Sequence, residues 1–330
     1  MIDNNGKLKV IIYSLMDYDQ REYERYKDAF KMKFLKNKLD ASTAVFAFGC
    51  DVVIACPFDD VSAPVIDELI EAGVKLIAMR CAGFNNVDVG YAKGKIPVVR
   101  VPDYSPYSIA EYSVGLMLCV VRNMHRVYNR SREHNFSITN FAGFEFRGRT
   151  VGIVGEGRIG SCVVETCKAL GMRVIVNTPH PRNTEGVEYV SLNELYARSD
   201  VIQLHCPLTK DNRHMINDES IAKMKDGVVI INTARGALVD TEALIRGLSS
   251  RKIRAAGLDV YEREANTFLV NLEDDILEDD VMQILLGFPN VILSPHMAYF
   301  TQESLNALCD TTVKNIREFF ETGDCKNRIC

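Results

Sequence analysis

The sequence predicts an α/β protein whose sheets are mainly parallel. Short runs rich in Val and Ile alternate with helical patterns almost from one end of the chain to the other, as in βαβ units. The chain has 330 residues, 47% of them hydrophobic, which is enough for two domains with separate cores. Because a glycine-rich turn stands in mid-chain, a separate domain of βα pattern must precede the domain that contains it.

Hydrophobic patterning places the predicted strands, and local chemistry marks the starts of two helices. A long apolar-periodic helix is predicted from Ser108 to His134. Ser191 with Glu194 three residues later forms a capping box, and Asp240 is a predicted N-cap residue. The predicted strands are Lys9 to Tyr13, Val52 to Ala55, Lys75 to Met79, Val98 to Val101, Thr150 to Val154, Arg173 to Val176, Val201 to His205, Val228 to Asn232, Ala255 to Asp259 and Val291 to Leu293.

Two proline-containing segments are the predicted crossing points between the domains. In RVPDYSP (100–106), the residue before each proline is disfavoured in a helix. SPHMAYFT (294–301) is the second candidate, because a last helix begins beyond it. The acidic stretch EDDILEDD (273–280) is interpreted as a solvated loop or the start of a helix.

Composition and charge argue against several classes of protein. The net charge is −5 and the basic residues are dispersed, so no nucleic-acid partner is expected. The apolar run from Val114 to Val121 is far shorter than the roughly 20 residues that a membrane helix needs. The apolar stretch near the N-terminus is too short for a secretory signal. We therefore expect a cytoplasmic protein with no membrane partner.

The cysteines do not have the pattern of a disulfide framework or of a zinc site. Ten cysteines occur in a long chain without a secretion signal, and no C-x-x-C pair is present. They are interpreted as reduced thiols, with Cys119, Cys162 and Cys167 as small core hydrophobes. No metal site is predicted.

The segment TVGIVGEGRIGSCVVETCKAL (150–170) has the order strand, glycine-rich turn, helix. Gly155 permits the tight turn, Gly157 lets the backbone approach a pyrophosphate, and Gly160 lets the helix and strand pack closely. Arg158 and Ile159 complete the turn and are predicted to bind the cofactor with the glycines. A plain βα turn is the alternative, but the flanking strands favour a dinucleotide site.

The acidic side chain that usually follows the second strand of such a domain is missing. Thr178 takes the position from which a carboxylate would accept hydrogen bonds from the ribose and repel a 2′-phosphate. The threonine hydroxyl can still bond to the ribose, without the strength that charge adds. His180 and Arg182 follow; they are either surface residues or able to reach a phosphate. NAD is the predicted cofactor, and NADP stays open.

An arginine follows the buried strand of VVIINTARGALVD (228–240). Arg235 is placed at the carboxyl end of a parallel strand, where such sheets bind ligands. Its planar fork can hold a substrate carboxylate through two parallel hydrogen bonds. The alternative is an ordinary ion pair with a surface acid.

Three polar residues follow the next two predicted strands. Asp259 and Glu264 lie at and beyond the end of one strand, and His296 follows the other. A histidine transfers protons near neutral pH, and a neighbouring carboxylate stabilises its protonated form and orients its ring. Taken singly, His296 would be a structural histidine, whereas three polar residues at successive strand ends favour catalysis. His205 is a competing candidate base; His125 and His134 are interpreted as solvent or subunit contacts.

With these residues assembled, the chain resembles the D-2-hydroxyacid dehydrogenase family, and most resembles its fermentative bacterial D-lactate dehydrogenases. The likeness covers almost the whole chain, through RCAGFNNVD, RVPDYSPYSIAEYSVG, VGIVGEGRIG, LHCPLT, INTARGALVD, LDVYERE, SPHMA and ETGDCKN. It implies two Rossmann-like, doubly wound parallel-sheet domains. The nucleotide domain (104–300) would be inserted into the substrate domain (1–103 and 301–330).

The resemblance also implies roles for individual residues. His296 would donate the proton, Glu264 would be its partner, and Arg235 would bind the substrate carboxylate. The backbone at Ala82 and Gly83 would share that carboxylate. The remaining implied site residues are Tyr104 and Tyr299 in the substrate pocket, Thr233, Ala234 and Asp259 at the nicotinamide, and His205, Cys206, Pro207 and Asn212 along the cofactor cleft.

The resemblance implies reversible, NAD(P)-dependent reduction of pyruvate to D-lactate by a homodimer or homotetramer, with the helix after Ser108 in the subunit contact. Two alternatives stay open: a dehydrogenase for a larger 2-keto acid, such as phenylpyruvate, 2-ketoisocaproate or 2-oxoglutarate, and a nucleotide-sensing, corepressor-like binding protein. Two departures from the family pattern matter. Thr178 puts the cofactor preference in doubt, and Met16 stands where several relatives carry a basic residue near the substrate.

Overall fold

The computed structural model describes residues 6–264, 267–268 and 271–330, which form two compact units. The first unit comprises the chain up to Ser105 together with Phe300–Cys330, and the second is Pro106–Tyr299. Each unit contains one parallel sheet, with five strands in the first and seven in the second. The predicted α/β class with two parallel-sheet domains is confirmed.

The sheet of the first unit has the strand order β2-β1-β3-β4-β5. Elements are numbered along the whole chain. The strands are β1 (Leu8–Ile12), β2 (Phe30–Phe34), β3 (Val52–Ala55), β4 (Leu76–Met79) and β5 (Val98–Arg100). The helices are α1 (Asp17–Glu24), α2 (Ala63–Glu71), α3 (Val89–Ala92) and α11 (Gln302–Thr322), with a 3₁₀ turn at Ala44–Ala47.

Alternate residues of β1 face opposite helical layers. Val10 and Ile12 belong to an apolar cluster with Val313 of α11. Ile11 belongs to the cluster on the other face, with Ile66 of α2. All five side chains are buried. Helices on both faces explain why such strands appear in the sequence as nearly continuous hydrophobic runs.

The sheet of the second unit has the strand order β12-β11-β10-β9-β6-β7-β8. The strands are β6 (Thr150–Val154), β7 (Arg173–Asn177), β8 (Val187–Tyr189), β9 (Val201–Leu204), β10 (Val228–Asn232), β11 (Ile253–Leu258) and β12 (Val291–Leu293). The helices are α4 (Pro106–Val121), α5 (Met124–Arg132), α6 (Arg158–Ala169), α7 (Leu192–Arg198), α8 (Asp218–Lys223), α9 (Thr241–Ser249) and α10 (Asp280–Leu286), with a 3₁₀ turn at Gly236–Leu238.

Helices cover both faces of this second sheet as well. Met117 of α4 and Val163 of α6 pack in one cluster with Ile231 of β10. Leu244 of α9 packs on the opposite face with Ile230 of the same strand. The five residues are at most 1% exposed, so the central strands are anchored on both sides.

Six neighbouring strands of the second sheet end in register. Because the strands are parallel, the residues that follow these ends all emerge at one edge of the sheet. Ligands of doubly wound proteins bind at this edge. In sheet order, the register partners that end the strands are Leu293, Leu258, Asn232, Leu204, Val154 and Asn177.

The structure differs from the sequence prediction at one helix and at two edge strands. The single helix predicted from Ser108 to His134 is wrong: α4 ends at Val121 and α5 begins at Met124. The break is at Asn123, which has a left-handed backbone (φ 55°), a conformation that Asn tolerates better than most residues. β2 and β8 were not predicted. Both lie at the edges of their sheets.

The predicted helix starts are confirmed. Ser191 and Glu194 form the capping box of α7, and Asp240 accepts from Ala243 N at the start of α9. The predicted acidic stretch leads into α10, whose N-cap residue is Asp279. All ten cysteines are free; among the three expected in the core, Cys167 is buried, whereas Cys119 and Cys162 are half-buried. Among the helices that the structure describes, none is long and apolar enough to cross a membrane.

Candidate active site

His296 and Glu264 lie in direct contact. His296 Nδ1 is 2.8 Å from Glu264 Oε1, although the two residues are 32 positions apart in the chain. The other carboxylate oxygen, Oε2, accepts from the backbone N–H of Tyr261 at 2.9 Å. Both carboxylate oxygens are therefore fixed, and the carboxylate orients the imidazole ring.

Asp259 fixes the loop that carries His296. Its carboxylate is fully buried and accepts from Ser294 Oγ (2.6 Å), Met297 N (2.9 Å) and Ala298 N (2.8 Å). Its backbone carbonyl accepts from His296 N at 2.8 Å. Burial raises the pKa of Asp259, and the hydrogen bonds from Ser294 and the loop oppose that rise. His296 has a left-handed backbone (φ 54°), a strained conformation that these bonds hold in place.

Arg235 is presented by a turn that Asn232 holds together. Asn232 is buried; its Oδ1 accepts from Ala234 N at 3.0 Å, and its Nδ2 donates to Arg235 O at 2.9 Å. Arg235 Nη1 donates to Ala234 O at 2.6 Å, which uses one of the five guanidinium N–H donors. Since Asn232 ends β10 in register with the ends of β11 and β12, Arg235 emerges at the same edge as His296.

The glycine-rich turn has the shape that a dinucleotide requires. Gly155 has a left-handed backbone (φ 94°), and a Cβ there would come within 2.7 Å of His205 O. A Cβ on Gly160 would collide with Gly155 O. At Gly157, by contrast, a Cβ would meet nothing within 4 Å, so the backbone is open to an approaching ligand. Gly157 is also the N-cap residue of α6 and has no side chain to cap it, so the first backbone N–H groups of the helix can donate to an anion.

Thr233 supplies a second feature that fits a bound ligand. Its Oγ1 is buried at the end of β10, and no partner for it exists among the residues that the structure describes. A buried hydroxyl without a partner is costly, and a polar group of a bound ligand would remove that cost. The residues at this edge therefore fit a nicotinamide dinucleotide, whose bound position would bring Gly157 and Thr233 into contact with it.

His205 lies among buried polar groups and is a poor candidate for the catalytic base. Its Nε2 is 3.3 Å from Gln203 Oε1 and 3.5 Å from Ser113 Oγ, and the Ser113 hydroxyl donates to the same Gln203 oxygen. Burial lowers the pKa of His205 to about 4, so the ring is neutral near pH 7. The His205 Cβ lies 3.6 Å from the place that a Cβ on Gly160 would occupy, so His205 flanks the glycine-rich turn.

The other predicted cofactor residues lie along the same edge. Asn212 closes the loop after β9, because its Oδ1 accepts from Thr209 N at 2.7 Å and its Nδ2 donates to Pro207 O at 2.8 Å. Cys206 is half-buried in this loop. Thr178 follows β7, and its Oγ1 accepts from His180 N at 3.4 Å. Arg158 and Ile159 open α6.

The predicted substrate residues are divided between the units. Ala82, Gly83 and Tyr104 belong to the first unit, and Tyr299 ends the second. Ala82 O accepts from Arg100 Nη1 at 2.7 Å, which holds the loop after β4. These four residues stay predicted substrate contacts.

Sequence reasoning missed three residues that organise the site. Asn232 and Ser294 were seen only as neighbours of Arg235 and His296, although both tie down the turns that carry them. Glu156 lies inside the glycine-rich turn and is 3% exposed. An acidic residue within such a turn is a signal that could have drawn attention to it.

Gly157 and Gly160 form a matched pair of variants for the cofactor site. Gly157→Ala adds a methyl group where only a ligand would meet it, so we expect unchanged thermal stability and an NADH affinity weakened by roughly tenfold or more, or about 1.4 kcal/mol. Gly160→Ala forces Gly155 to move and should lower the melting temperature as well. Calorimetric titration and thermal unfolding measure both effects. Equal NADH affinity in Gly157→Ala and the native protein would contradict the site.

The lowered pKa of His205 predicts acid sensitivity. Between its folded pKa of about 4 and its ordinary value of 6.5, the unfolded chain binds a proton that the folded chain does not. The free energy of unfolding should therefore fall as the pH falls from 6.5 towards 4. Urea unfolding across this range measures the slope. His205→Gln should flatten it and the exposed control His134→Gln should not; equal slopes in all three proteins would contradict the assignment.

Comparisons with known proteins agree along nearly the whole chain. A family model described as "D-isomer specific 2-hydroxyacid dehydrogenase, NAD binding domain" matches residues 114–298. The D-lactate dehydrogenase of Escherichia coli is 40% identical over 328 residues, covering 98% of this chain and 100% of that protein. Its apo-structure covers the same shares with a TM-score of 0.89.

Two further relatives are named for other substrates. An aromatic 2-oxoacid reductase of Clostridium sporogenes is 38% identical over 330 residues, covering 98% of this chain and 100% of the relative. A structure of the pyruvate reductase of Chlamydomonas reinhardtii is 41% identical with a TM-score of 0.90, covering 95% and 96%. The predicted NAD cofactor and oxidoreductase class are confirmed. The chain is an NAD-dependent oxidoreductase that belongs to the D-isomer specific 2-hydroxyacid dehydrogenase family.

Proposed function

We propose that this protein reversibly reduces pyruvate to D-lactate. The observation that carries the proposal is the 2.8 Å contact between His296 and Glu264 at the sheet edge where Arg235 also emerges. A proton donor and a carboxylate anchor at one edge are what the reduction of a 2-keto acid needs. The second unit contains the matched NAD binding domain together with these three residues.

The proposed reaction adds a hydride to the keto carbon and a proton to the keto oxygen. The nicotinamide cofactor, when bound, supplies the hydride. Arg235 binds the substrate carboxylate through its guanidinium fork and holds the keto group in place. His296 carries the proton on Nε2, because Nδ1 is bonded to Glu264, and gives it to the oxygen as the C–O bond becomes single. In the reverse direction His296 takes that proton back.

The supporting residues position these groups and do not touch the reacting atoms. Glu264 orients the imidazole ring, because its carboxylate is bonded to His296 Nδ1. Asn232 positions Arg235 through the turn, and Asp259 positions His296 through its loop. Because Asn232 and Asp259 are bonded to the backbone of these turns, the site is organised before the substrate binds.

Pyruvate is proposed as the substrate on the strength of two relatives. The Escherichia coli and Chlamydomonas reinhardtii proteins are named for lactate and pyruvate, and both align along nearly the whole chain. The Clostridium sporogenes relative favours a second candidate, a 2-keto acid with an aromatic side chain. Ala82, Gly83, Tyr104 and Tyr299 remain proposed substrate contacts.

An exposed apolar stripe on α5 supports a homodimer or homotetramer. Met124, Val127 and Tyr128 share one face of the helix, being three and four positions apart, and are 51%, 42% and 62% exposed. Phe136 and Ile138 beyond the helix are also exposed. Adjacent exposed apolar side chains are typical of an interaction surface.

Light scattering after size-exclusion chromatography tests this assembly. The expected mass is two or four times the 37.1 kDa of one chain. Val127→Glu on the exposed stripe should shift the protein towards monomer. A native mass of one chain would contradict the proposal.

The proposed catalytic role is tested by two matched variants. His296 and His134 both have left-handed backbones (φ 54° and 59°), which Asn tolerates. His296→Asn should lower turnover with pyruvate by roughly 10²- to 10⁴-fold, the usual contribution of a general acid, while calorimetry shows intact NADH binding. His134→Asn should change neither quantity. Unchanged turnover in His296→Asn would remove His296 from the mechanism.

The same assay with native protein decides the substrate. We expect the highest kcat/KM for pyruvate in a panel with phenylpyruvate, 2-ketoisocaproate and 2-oxoglutarate. A higher kcat/KM for phenylpyruvate would contradict pyruvate and favour the aromatic candidate.

A further inference from the structure

We propose that Glu156 is the acidic group that makes this protein prefer NAD to NADP, in place of the carboxylate that position 178 lacks. The inference deepens the proposed function, since it concerns the adenosine ribose end of the same cofactor site. It assigns the discrimination between the two cofactors to a residue inside the glycine-rich turn.

The Glu156 carboxylate is held in one place by three donors. Oε2 accepts from Tyr189 Oη at 2.7 Å and from the backbone N–H of Arg182 at 3.4 Å. Oε1 accepts from Thr184 Oγ1 at 2.8 Å. The side chain is buried, so neither the position nor the charge of this carboxylate is averaged by free rotation in solvent.

The sheet order places this carboxylate at the end of β7. Glu156 follows β6 by two residues, and Tyr189 is the last residue of β8, opposite Val176 of β7. Because β7 lies between β6 and β8, a bond from Glu156 to Tyr189 must cross the carboxyl end of β7. Thr178 leaves the sheet at that end, where a dinucleotide domain usually presents its acidic residue.

The charge at this point determines which cofactor fits. A carboxylate beside the ribose favours two free hydroxyls and repels a 2′-phosphate, which carries nearly two negative charges. The Thr178 hydroxyl is neutral and is already in contact with His180 N. Glu156 therefore supplies the negative charge at the end of β7, although it follows β6 in the chain and not β7.

A purely structural role for Glu156 makes a different prediction. If the carboxylate only ties down the loop 178–184, any loss of its hydrogen bonds should weaken both cofactors alike. In that case no charge would repel the 2′-phosphate of NADP, and the exposed side chains of His180 and Arg182 would be free to contact it. Separating charge from hydrogen bonding distinguishes the two roles.

Calorimetric titration with NADH and NADPH, without any keto acid, is the test. Glu156→Gln keeps an acceptor oxygen and removes the charge, so we expect the NADPH affinity to rise relative to NADH on the order of tenfold or more. Tyr189→Phe keeps the charge and removes one hydrogen bond. It should leave the ratio of the two affinities unchanged, even if both weaken.

Substitution at position 178 provides a rescue of the cofactor preference and an independent test of the proposal. Glu156→Gln with Thr178→Asp should restore the native preference, because the carboxylate returns to the same strand end. Thr178→Asp alone should add little discrimination, since the charge is already present. This single variant keeps the proposal testable if Glu156→Gln fails to fold, as judged by circular dichroism and thermal unfolding.

Three results would overturn the inference: an unchanged affinity ratio in folded Glu156→Gln, the same change of ratio in Tyr189→Phe, or a tenfold gain of NADH preference in Thr178→Asp alone. Failure of the proposed function is a separate result. It would appear as normal cofactor selectivity in a protein that does not turn over pyruvate.

Discussion

The site depends on six parallel strands that end in register at one edge of the second sheet. Five of these strands are buried on both faces by helices and β12 is half-buried, so their positions along the sheet are fixed by packing as well as by hydrogen bonds. The glycine-rich turn, Arg235 and His296 each follow one of these ends. Residues distant in the sequence are therefore brought to one edge by the sheet, before any side chain of the site contributes.

Buried polar side chains convert this common edge into a defined geometry. Asp259 and Asn232 are almost completely buried, and each is bonded to the backbone of the turn that it supports. Removing one such partner would leave buried N–H or C=O groups unsatisfied, at a cost of about 1–3 kcal/mol each. The burial of Glu156 has the same explanation, because its carboxylate accepts hydrogen bonds from two hydroxyls and a backbone N–H. Both Asp259 and Glu156 are buried at places where the turns supply donors.

The sequence predicted best the strands whose residues are completely buried. It predicted least well the edge strands and the side-chain contacts that depend on tertiary structure. Strands such as β10 were predictable because every residue is apolar and buried, apart from the terminal Asn232. The edge strands β2 and β8 were missed because one side of each is exposed and their runs are short or interrupted by Lys. Strand order placed Glu264 and His296 near successive strand ends, and the family resemblance implied that they are partners. The bond from Glu156 to Tyr189 depends on how β8 pairs, which no local pattern encodes.

The account predicts that the imidazole and the guanidinium meet the same small keto acid beside the cofactor. A crystal structure with NADH and oxamate, an unreactive analogue of pyruvate, is the most direct measurement. We expect His296 Nε2 within hydrogen-bond distance of the oxamate carbonyl oxygen, roughly 2.6–3.2 Å, and the Arg235 fork on its carboxylate. Oxamate bound elsewhere, or seated at this edge without contact to either side chain, would contradict the account.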